Sequence, residues 1–226
     1  MTPPFMYIPA PFSMTDRAEV FGLAASFPFA TLVTHLSPPT PAVREASDEE
    51  AGGQAEVEEL VAVSHLPLLV DIERGVLRGH LSKDNPQYRH LAAGACALTI
   101  FHGPHAYVSP SVYLEPGVPT WNYVVVHARG KARLVEEADL LAILEESVQR
   151  FDRTGWTLAA LGESLRPKLD SIAGFEVDVH HLEGKRKLSQ NRAPEDQARV
   201  VEWLERGDGS SQATAAMMRA CLPIPR

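Results

Sequence analysis

Strand-type segments follow one another along this chain with few helices between them, and this order limits the folds that the chain can adopt. The segments with β-branched and apolar character are residues 29–35, 60–65, 67–70, 76–81, 95–101, 106–108, 120–135 and 172–182. Gly103-Pro104 predicts a turn or bend between two of them. A doubly wound sheet alternates strands with helices, whereas runs of strands favour an antiparallel barrel with added helices. The sequence therefore predicts a mainly β fold.

Helices are predicted where apolar residues recur with helical spacing. These segments are residues 17–26, 136–151, 156–169 and 193–206, and a short helix follows Pro86. Residues 37–58 are rich in proline, glycine and carboxylates, with almost no large apolar side chains, and predict an exposed acidic loop insertion. We expect a single domain over residues 1–226, with that insertion and a helical C-terminal extension from about residue 193.

Charge, hydrophobic segments and cysteine content limit the classes of function that the chain can have. The 226 residues carry a net charge of −8, which disfavours non-specific binding to nucleic acid, although a local basic face remains compatible with that sum. No signal peptide and no stretch of membrane-spanning length is recognisable, so we expect a cytoplasmic protein without a membrane partner. Cys96 lies in an apolar run and predicts a buried reduced thiol, and two cysteines make no disulfide framework.

The segment from Arg78 to Gln87 concentrates hydrogen-bond donors at the end of a predicted strand. His80, Ser82, Lys83 and Asn85 fall within six residues, and Asn85-Pro86 fits the start of a helix. Free backbone N–H groups of the next two residues would then lie at the positive end of a helix dipole, where phosphate binds well. The alternative is that Asn85 only caps its helix and Lys83 is an exposed charge.

The longest predicted strand places Thr120 and Asn122 on one face and Trp121 on the other. Trp121 fits either a core position or the wall of a ligand site. The segment His102-Gly103-Pro104-His105 lacks the helical spacing of a zinc motif, so we predict no metal site. Ser109 has no accompanying triad signal, which disfavours a hydrolase.

Several motifs occur together in an order that resembles the PaiB family. They are Gly79-His80 with Asn85-Pro86, the run from His102 to Ser111, the run from Val118 to Tyr123, and Lys187-Leu188-Ser189-Gln190-Asn191. The opening Met6-Tyr7-Ile8-Pro9 and Ser64-His65-Leu66-Pro67 fit as well, so the resemblance covers nearly the whole chain. The acidic segment 37–58 departs from the family, whose members usually have a short hairpin there.

The resemblance implies an FMN-binding split β-barrel, similar in fold to the pyridoxamine-phosphate oxidases, and a homodimer with flavin at its interface. It adds Lys187, Ser189, Gln190 and Asn191 to the predicted FMN site, beside His80, Ser82, Lys83, Asn85, Thr120, Trp121 and Asn122. For the residues from Lys187 to Asn191 the alternative is an exposed polar loop.

The family is named for negative regulation of transcription, which implies a DNA or regulatory protein partner. The alternative is an FMN-dependent oxidoreductase that uses NAD(P)H or oxygen on a small molecule. A haem-binding variant of the same barrel also stays open. The sequence shows neither a basic recognition helix nor an identifiable proton donor, so it does not decide between regulator and enzyme.

Overall fold

The protein is described by a computed structural model that covers residues 5–36 and 60–223. The strands are β1 (Ser13–Met14), β2 (Phe29–His35), β3 (Val61–Pro67), β4 (Leu69–Asp71), β5 (Val76–Ser82), β6 (Cys96–Val108), β7 (Thr120–Leu134) and β8 (Ile172–Lys187). The helices are α1 (Arg17–Ser26), α2 (Gln87–Ala92), α3 (Glu137–Phe151), α4 (Leu165–Asp170), α5 (Pro194–Glu205) and α6 (Gly209–Cys221). Short 3₁₀ helices cover Ala10–Phe12, Pro110–Val112 and Leu158–Ser164.

Within the described residues the eight strands form one sheet in the order β3-β2-β6-β7-β8-β5-β4, and β1 pairs with β8. The pairs β1–β8, β2–β3, β4–β5 and β5–β8 are antiparallel. The prediction of a mainly β, antiparallel fold with added helices is therefore confirmed. The chain groups into two compact units, and β6, β7 and β8 each contribute residues to both.

The first unit comprises residues 1–27, 101–127 and 182–226, in so far as they are described. Its core joins apolar side chains of β6 and β7 to those of α5 and α6, among them Val108, Val124, Val200, Leu204 and Met218. An N-terminal arm lies against β8: the Met6 N–H donates to Glu183 at 3.0 Å, and Lys185 Nζ donates to the Tyr7 carbonyl at 2.8 Å.

The second unit comprises residues 28–100 and 128–181, again as far as they are described. Antiparallel pairing runs from Phe29 opposite Pro67 to His35 opposite Val61, and β5 pairs with β8 from Val76 opposite Asp178 onward. Helix α3 is joined to β5 by the ion pair between Arg78 and Glu146, at 2.7 Å.

Several predicted boundaries were wrong. β6 continues through Gly103-Pro104 without the predicted turn, and a Cβ on Gly103 would come within 3.0 Å of Val124 Cβ, so this glycine permits close packing. The predicted helix 156–169 is a 3₁₀ segment interrupted at Gly162, whose φ is 52°, followed by α4. Cys96 is exposed, because it alternates with the buried Ala95 and Ala97.

The C-terminal part also differs from its prediction. Strand β8 continues past residue 182, so that Lys187 ends a strand rather than following one. A further helix, α6, follows the predicted terminal helix and is capped by the Asp208 side chain, which accepts from the Ser211 N–H at 2.8 Å. The acidic segment 37–58 lies outside the described residues.

Candidate functional site

A small polar pocket in the first unit brings together residues from the start of β7 and from the end of β8 with the turn that follows. We call it the Lys187 pocket. It has a volume of about 140 Å³ and is lined by Tyr113, Val118, Thr120, Asn122, Lys187, Ser189, Asn191 and Arg192. Five of these residues are among those predicted to bind FMN, and they come from two segments 65 to 71 positions apart in the chain.

Lys187 is the central cation of this pocket. Its Nζ donates to the Trp121 carbonyl oxygen at 2.7 Å and contacts the hydroxyl of Thr120. Burial lowers the pKa of Lys187, and the positive charges of Lys185 and Arg192 lower it further. A bound anion would counter both effects, because it would replace lost solvation and offset the neighbouring positive charge.

Ser189 and Asn122 fix the backbone at the floor of the pocket. Ser189 has a φ of 66°, a left-handed conformation that is uncommon for residues other than glycine. Its hydroxyl lies 3.0 Å from Asn122 Nδ2 and donates to Asn122 Oδ1 at 3.2 Å, and both residues are buried. Gln197 supports the same turn by donating to the carbonyls of Ser189 and Arg192.

Arg192 and Tyr113 complete the wall. The Arg192 guanidinium lies 4.1 Å from the centre of the Tyr113 ring, close enough for a cation–π contact. The Tyr113 hydroxyl is buried and has no hydrogen-bond partner within residues 5–36 and 60–223. None of the described lining residues carries a carboxylate. The donor set, with two cations and an unpaired hydroxyl, fits an anionic group.

The size of the pocket restricts that anion. A volume of about 140 Å³ exceeds the space of a few water molecules but is far below the roughly 300–1,000 Å³ of pockets that enclose a drug-sized ligand. It suits a phosphate group rather than a three-ring system. Gln190 does not line this pocket, since its side-chain amide accepts from the Leu188 N–H and donates to the Arg186 carbonyl.

Trp121 is 52% exposed, so the alternative of a core position is wrong. Its ring lies 6.0 Å from Tyr107 in an edge-on arrangement and 6.1 Å from His105. These three rings form an exposed aromatic surface on β6 and β7. A flat ligand or a second protein surface could cover it with little rearrangement.

The residues predicted around Lys83 belong to the second unit and are divided between two cavities. Lys83 and Asn85 line a cavity of about 580 Å³, together with Asp84, Pro86 and Arg89 among others. His80 instead lines an apolar cavity of about 470 Å³ beside α3. Ser82 is exposed, and its hydroxyl accepts from the Asp84 N–H at 3.2 Å.

The predicted phosphate donors at α2 already have acceptors. The Gln87 N–H donates to Asn85 Oδ1 at 2.9 Å, and the Tyr88 N–H donates to the Asn85 carbonyl at 2.9 Å. Asn85 Nδ2 donates to Ser64 at 2.9 Å, and the exposed Lys83 Nζ donates to the Asp170 carbonyl at 2.9 Å. The prediction that these backbone N–H groups are free was wrong, because Asn85 closes its own turn.

Three further side chains are not among the residues predicted to form the site. Arg192 and Tyr113 line the Lys187 pocket and contact each other there. Gln87 is fully buried, and its Nε2 donates to the Leu32 and Ala62 carbonyls and to the Thr34 hydroxyl, which ties α2 to β2 and β3. Such roles depend on contacts between distant segments. No group of histidine, cysteine, aspartate or glutamate in the described ranges could hold a metal ion.

Comparison with known families agrees with the resemblance. Residues 6–181 match the family described as “Putative FMN-binding domain”. The chain is also 32% identical over 207 residues to “Protease synthase and sporulation protein PAI 2” of Bacillus subtilis, in an alignment that covers 88% of this chain and 89% of that protein. The chain belongs to the PaiB family. FMN is thus the cofactor of this PaiB-family protein, and the donor set of the Lys187 pocket fits its phosphate.

Solved structures support the fold of this PaiB-family protein. The FAD and heme binding protein of Mycobacterium smegmatis superposes with a TM-score of 0.55 at 18% identity, over 81% of this chain and 78% of that one. The conserved hypothetical protein Rv2991 of Mycobacterium tuberculosis superposes with a TM-score of 0.53 at 11% identity. The superposition covers 83% of this chain and 94% of that one. The fold is the antiparallel split barrel. In residues 5–36 and 60–223, every helix is too short or too polar to cross a membrane.

Proposed function

We propose that this protein binds FMN with the flavin phosphate in the Lys187 pocket, and that the flavin-bound homodimer acts as a negative regulator of transcription. The observation that carries the phosphate assignment is the pairing of Lys187 and Arg192 around the unpartnered Tyr113 hydroxyl, without a carboxylate among the described lining residues. Phosphate binds strongly where cations and hydroxyl donors converge away from bulk water.

The remaining predicted residues are assigned to other parts of FMN. Thr120, Asn122, Ser189 and Asn191 supply hydroxyl and amide groups beside Lys187, suited to the phosphate and the first ribityl hydroxyls. Trp121 offers an exposed ring to the flat isoalloxazine. His80, Ser82, Lys83, Asn85 and Gln190 stay in the proposal as weaker candidates, since the side chains of Ser82, Lys83, Asn85 and Gln190 form hydrogen bonds within the chain.

The homodimer is supported by an exposed apolar surface on the hairpin of β2 and β3. Phe29, Val61 and Val63 are exposed there, and Val63 lies opposite Val33 in the pair of strands. Large apolar side chains exposed along one pair of strands are typical of an interaction surface. We expect Val63→Glu to convert a dimer into monomers in light-scattering measurements, whereas Ala213→Glu, at an exposed position on α6, should leave the mass unchanged.

A protein partner is favoured over direct DNA contact for the regulatory step. The basic run at the end of β8 is engaged by its own chain: Lys185 donates to the Tyr7 carbonyl, and Arg186 pairs with Glu19. These cations are therefore not a free surface for phosphates of DNA. The Bacillus relative is named “Protease synthase and sporulation protein PAI 2”, and the naming of the family for negative regulation of transcription supports a regulatory role. Both cysteines are free thiols in the structure, as expected of a cytoplasmic protein.

The binding proposal is tested by titrating the apoprotein with FMN and with riboflavin and following flavin fluorescence. We expect FMN to bind at least tenfold more tightly, because riboflavin has no phosphate for Lys187 and Arg192. Equal affinity for the two ligands would contradict the phosphate assignment. Anaerobic mixing of the FMN complex with NADH then separates regulator from enzyme, since rapid bleaching of the flavin would favour the oxidoreductase.

The regulatory step needs its own measurement. Affinity capture with the FMN complex should retain a protein partner that the apoprotein does not retain. A gel shift with upstream DNA at physiological salt is the complementary assay, because binding seen only at low salt reports release of counterions. Sequence-selective retardation of DNA at physiological salt would overturn the preference for a protein partner.

A further inference from the structure

A groove runs beside α3 in the second unit and shares no lining residue with the Lys187 pocket. It consists of two cavities of about 470 and 570 Å³ that share Val148, Asp152, Trp156 and Leu158. The first cavity adds His80, Leu144, Ser147 and Phe151. We call the two cavities together the Trp156 groove. Each is within the usual volume range of small-molecule sites.

Two exposed aromatic rings form its apolar walls. The exposed fractions of Phe151 and Trp156 are 40% and 39%, although both rings border a cavity lined by Leu144, Val148 and Leu158. Because both rings border the same cavity, their exposed surfaces adjoin one space rather than lying scattered over the protein surface. A flat ligand lying against these rings would remove apolar surface from water on both sides.

The loop that carries Trp156 is held in a defined shape. Asp152 Oδ1 accepts hydrogen bonds from the Thr154 N–H at 2.7 Å and from the Trp156 N–H at 3.1 Å. Gly155 has a φ of 81°, which favours glycine at that position. The hydrogen bond from the Thr154 backbone is the largest cause of the lowered pKa of Asp152. The backbone that carries the ring is thus ordered before any ligand arrives, which lowers the cost of binding.

His80 supplies the polar end of the groove. It is half-buried, and burial lowers its pKa, so the imidazole is neutral at neutral pH. The neutral imidazole has one N–H donor and one acceptor nitrogen, and it lines the cavity. Ser147 also lines this cavity and donates to the Ile143 carbonyl at 2.7 Å, so its hydroxyl oxygen can still accept.

The charges of the groove lining disfavour an anionic ligand. Glu145 and Asp152 are the ionisable acids of the lining, and neither lysine nor arginine occurs among the described lining residues. The Arg150 guanidinium lies outside this lining, 5.9 Å from the centre of the Phe151 ring. The lining is the opposite of that of the Lys187 pocket, where two cations and no carboxylate line the wall. Like charges in a partly desolvated groove repel, whereas a cation or a neutral molecule meets no such cost.

We propose that the Trp156 groove binds small planar aromatic molecules that are neutral or positively charged, with a hydrogen bond to His80. The groove shares no lining residue with the Lys187 pocket, and His80 is the one residue that it has in common with the weaker FMN candidates among the described residues. An anionic flavin phosphate is unsuited to it, and its ligand would be a second small molecule sensed or carried by the protein.

The test uses three probes that share one ring and differ in charge: tryptamine, indole and indole-3-acetate. Protein labelled with ¹⁵N-tryptophan gives separate indole N–H signals for Trp121, Trp156 and Trp203, and the Trp156 signal reports on the groove. We expect saturable shifts of this signal by tryptamine and indole, with dissociation constants below about 1 mM, which small ligands of about ten heavy atoms can reach. Indole-3-acetate should bind at least tenfold more weakly.

Variants localise the binding. His80→Leu should weaken indole and tryptamine about fivefold while keeping the apolar wall, and Trp156→Ala should abolish measurable affinity in equilibrium dialysis. Trp203→Ala is the matched control, because Trp203 has a similar exposed fraction of 37% and lies on α5, away from the groove lining. Retained affinity in Trp156→Ala, or loss in Trp203→Ala, would overturn the proposal.

A competition experiment distinguishes a failure of the Trp156 groove proposal from a failure of the FMN-binding proposal. Saturating FMN should leave the tryptamine affinity unchanged if FMN and the aromatic probe use different sites. Displacement of tryptamine by FMN would overturn the independent groove, and so would equal binding of indole-3-acetate and tryptamine. Equal affinity of the protein for FMN and riboflavin would contradict only the Lys187 pocket.

Discussion

Two short runs of this chain are alike in composition and differ in what the fold does with them. One run holds Ser82, Lys83 and Asn85, and the other holds Lys187, Ser189 and Asn191. Each lysine donates to a backbone carbonyl, but Lys83 is exposed and lines a cavity whose wall also carries the carboxylate of Asp84. Lys187 is half-buried, lines a pocket with Arg192 and no carboxylate among the described lining residues, and has a lowered pKa.

The difference teaches that partners from elsewhere in the chain decide whether a lysine, a serine and an asparagine form an anion site. Asn85 is occupied by Ser64 and by the backbone of α2, so its run serves as a joint between a helix and a strand. Ser189 instead takes a left-handed conformation that brings its hydroxyl to Asn122 beside Lys187. Substitutions in each run can therefore test whether the second run binds the phosphate and the first does not.

The largest effect is expected for Lys187→Ala. Loss of a charge-assisted hydrogen bond costs about 2 kcal/mol, so FMN should bind about 30-fold more weakly, while riboflavin affinity changes less than threefold. Flavin fluorescence quenching measures both. Lys131→Ala, at an exposed lysine on β7, is the control and should leave both affinities unchanged. An equal loss for both flavins would remove Lys187 from the phosphate.

Next to the run of Ser82, Lys83 and Asn85, the largest effect is expected on the stability of the fold, from a substitution at Gln87. Gln87→Leu keeps the side-chain volume but deprives two carbonyls and the Thr34 hydroxyl of a donor, so the free energy of unfolding should fall by about 2 kcal/mol. Urea denaturation measures this, with Gln212→Leu at an exposed position as the control. The ratio of FMN to riboflavin affinity should stay constant. A change in that ratio would mean that the segment around Gln87 also contacts the phosphate.

A smaller and more diagnostic effect is expected for Tyr113→Phe. The variant keeps the ring under Arg192 and removes a buried hydroxyl without a partner in the described chain, so the apoprotein should gain up to about 1 kcal/mol of stability. FMN should nevertheless bind about fivefold more weakly, because the hydroxyl donates to the phosphate in the complex. A change in stability without a change in affinity would show that the hydroxyl does not face the ligand.

The pH dependence follows from the lowered pKa of Lys187. The lysine loses its proton at a lower pH than an ordinary lysine, so FMN affinity should fall as the pH rises through that lowered pKa. Over the window between this pKa and the ordinary value near 10.4, the unfolded chain binds more protons, and the stability of the apoprotein should rise. Titrations with riboflavin should stay flat, and Lys187→Arg should abolish the decline in FMN affinity.

The smallest effect is expected for Lys83→Ala. This exposed lysine already donates to the Asp170 carbonyl, and exposed charges contribute about 0.5 kcal/mol, so FMN affinity should fall about twofold relative to riboflavin. A loss as large as that of Lys187→Ala would reverse the comparison between the two runs and assign the phosphate to the second unit.

Local sequence patterns predicted much of the fold. Helix α1 covers residues 17–26 and β2 covers residues 29–35 as predicted, because helical spacing and a run of β-branched residues are local signals. The continuous strand through Gly103-Pro104 was not predictable in this way. Its conformation depends on the close approach of Val124, a residue that no local pattern connects with it.

The candidate site shows the same limit. The motif from Lys187 to Asn191 and the polar face of Thr120 and Asn122 could be singled out from the sequence, and they do meet in one pocket. The separation of His80 from Lys83 could not be predicted, because Lys83 lies beyond the end of β5 and the helix beside the His80 cavity is about 60 residues away in the chain. The contribution of Tyr113 likewise depends on contacts across the chain.

The exposed thiol of Cys96 allows the proposed homodimer to be tested by labelling. Cys221 is half-buried and accepts a hydrogen bond from Arg186, so a maleimide dye at low excess should label Cys96 first. Mixing donor-labelled and acceptor-labelled samples would then report subunit exchange by energy transfer, without any added cysteine.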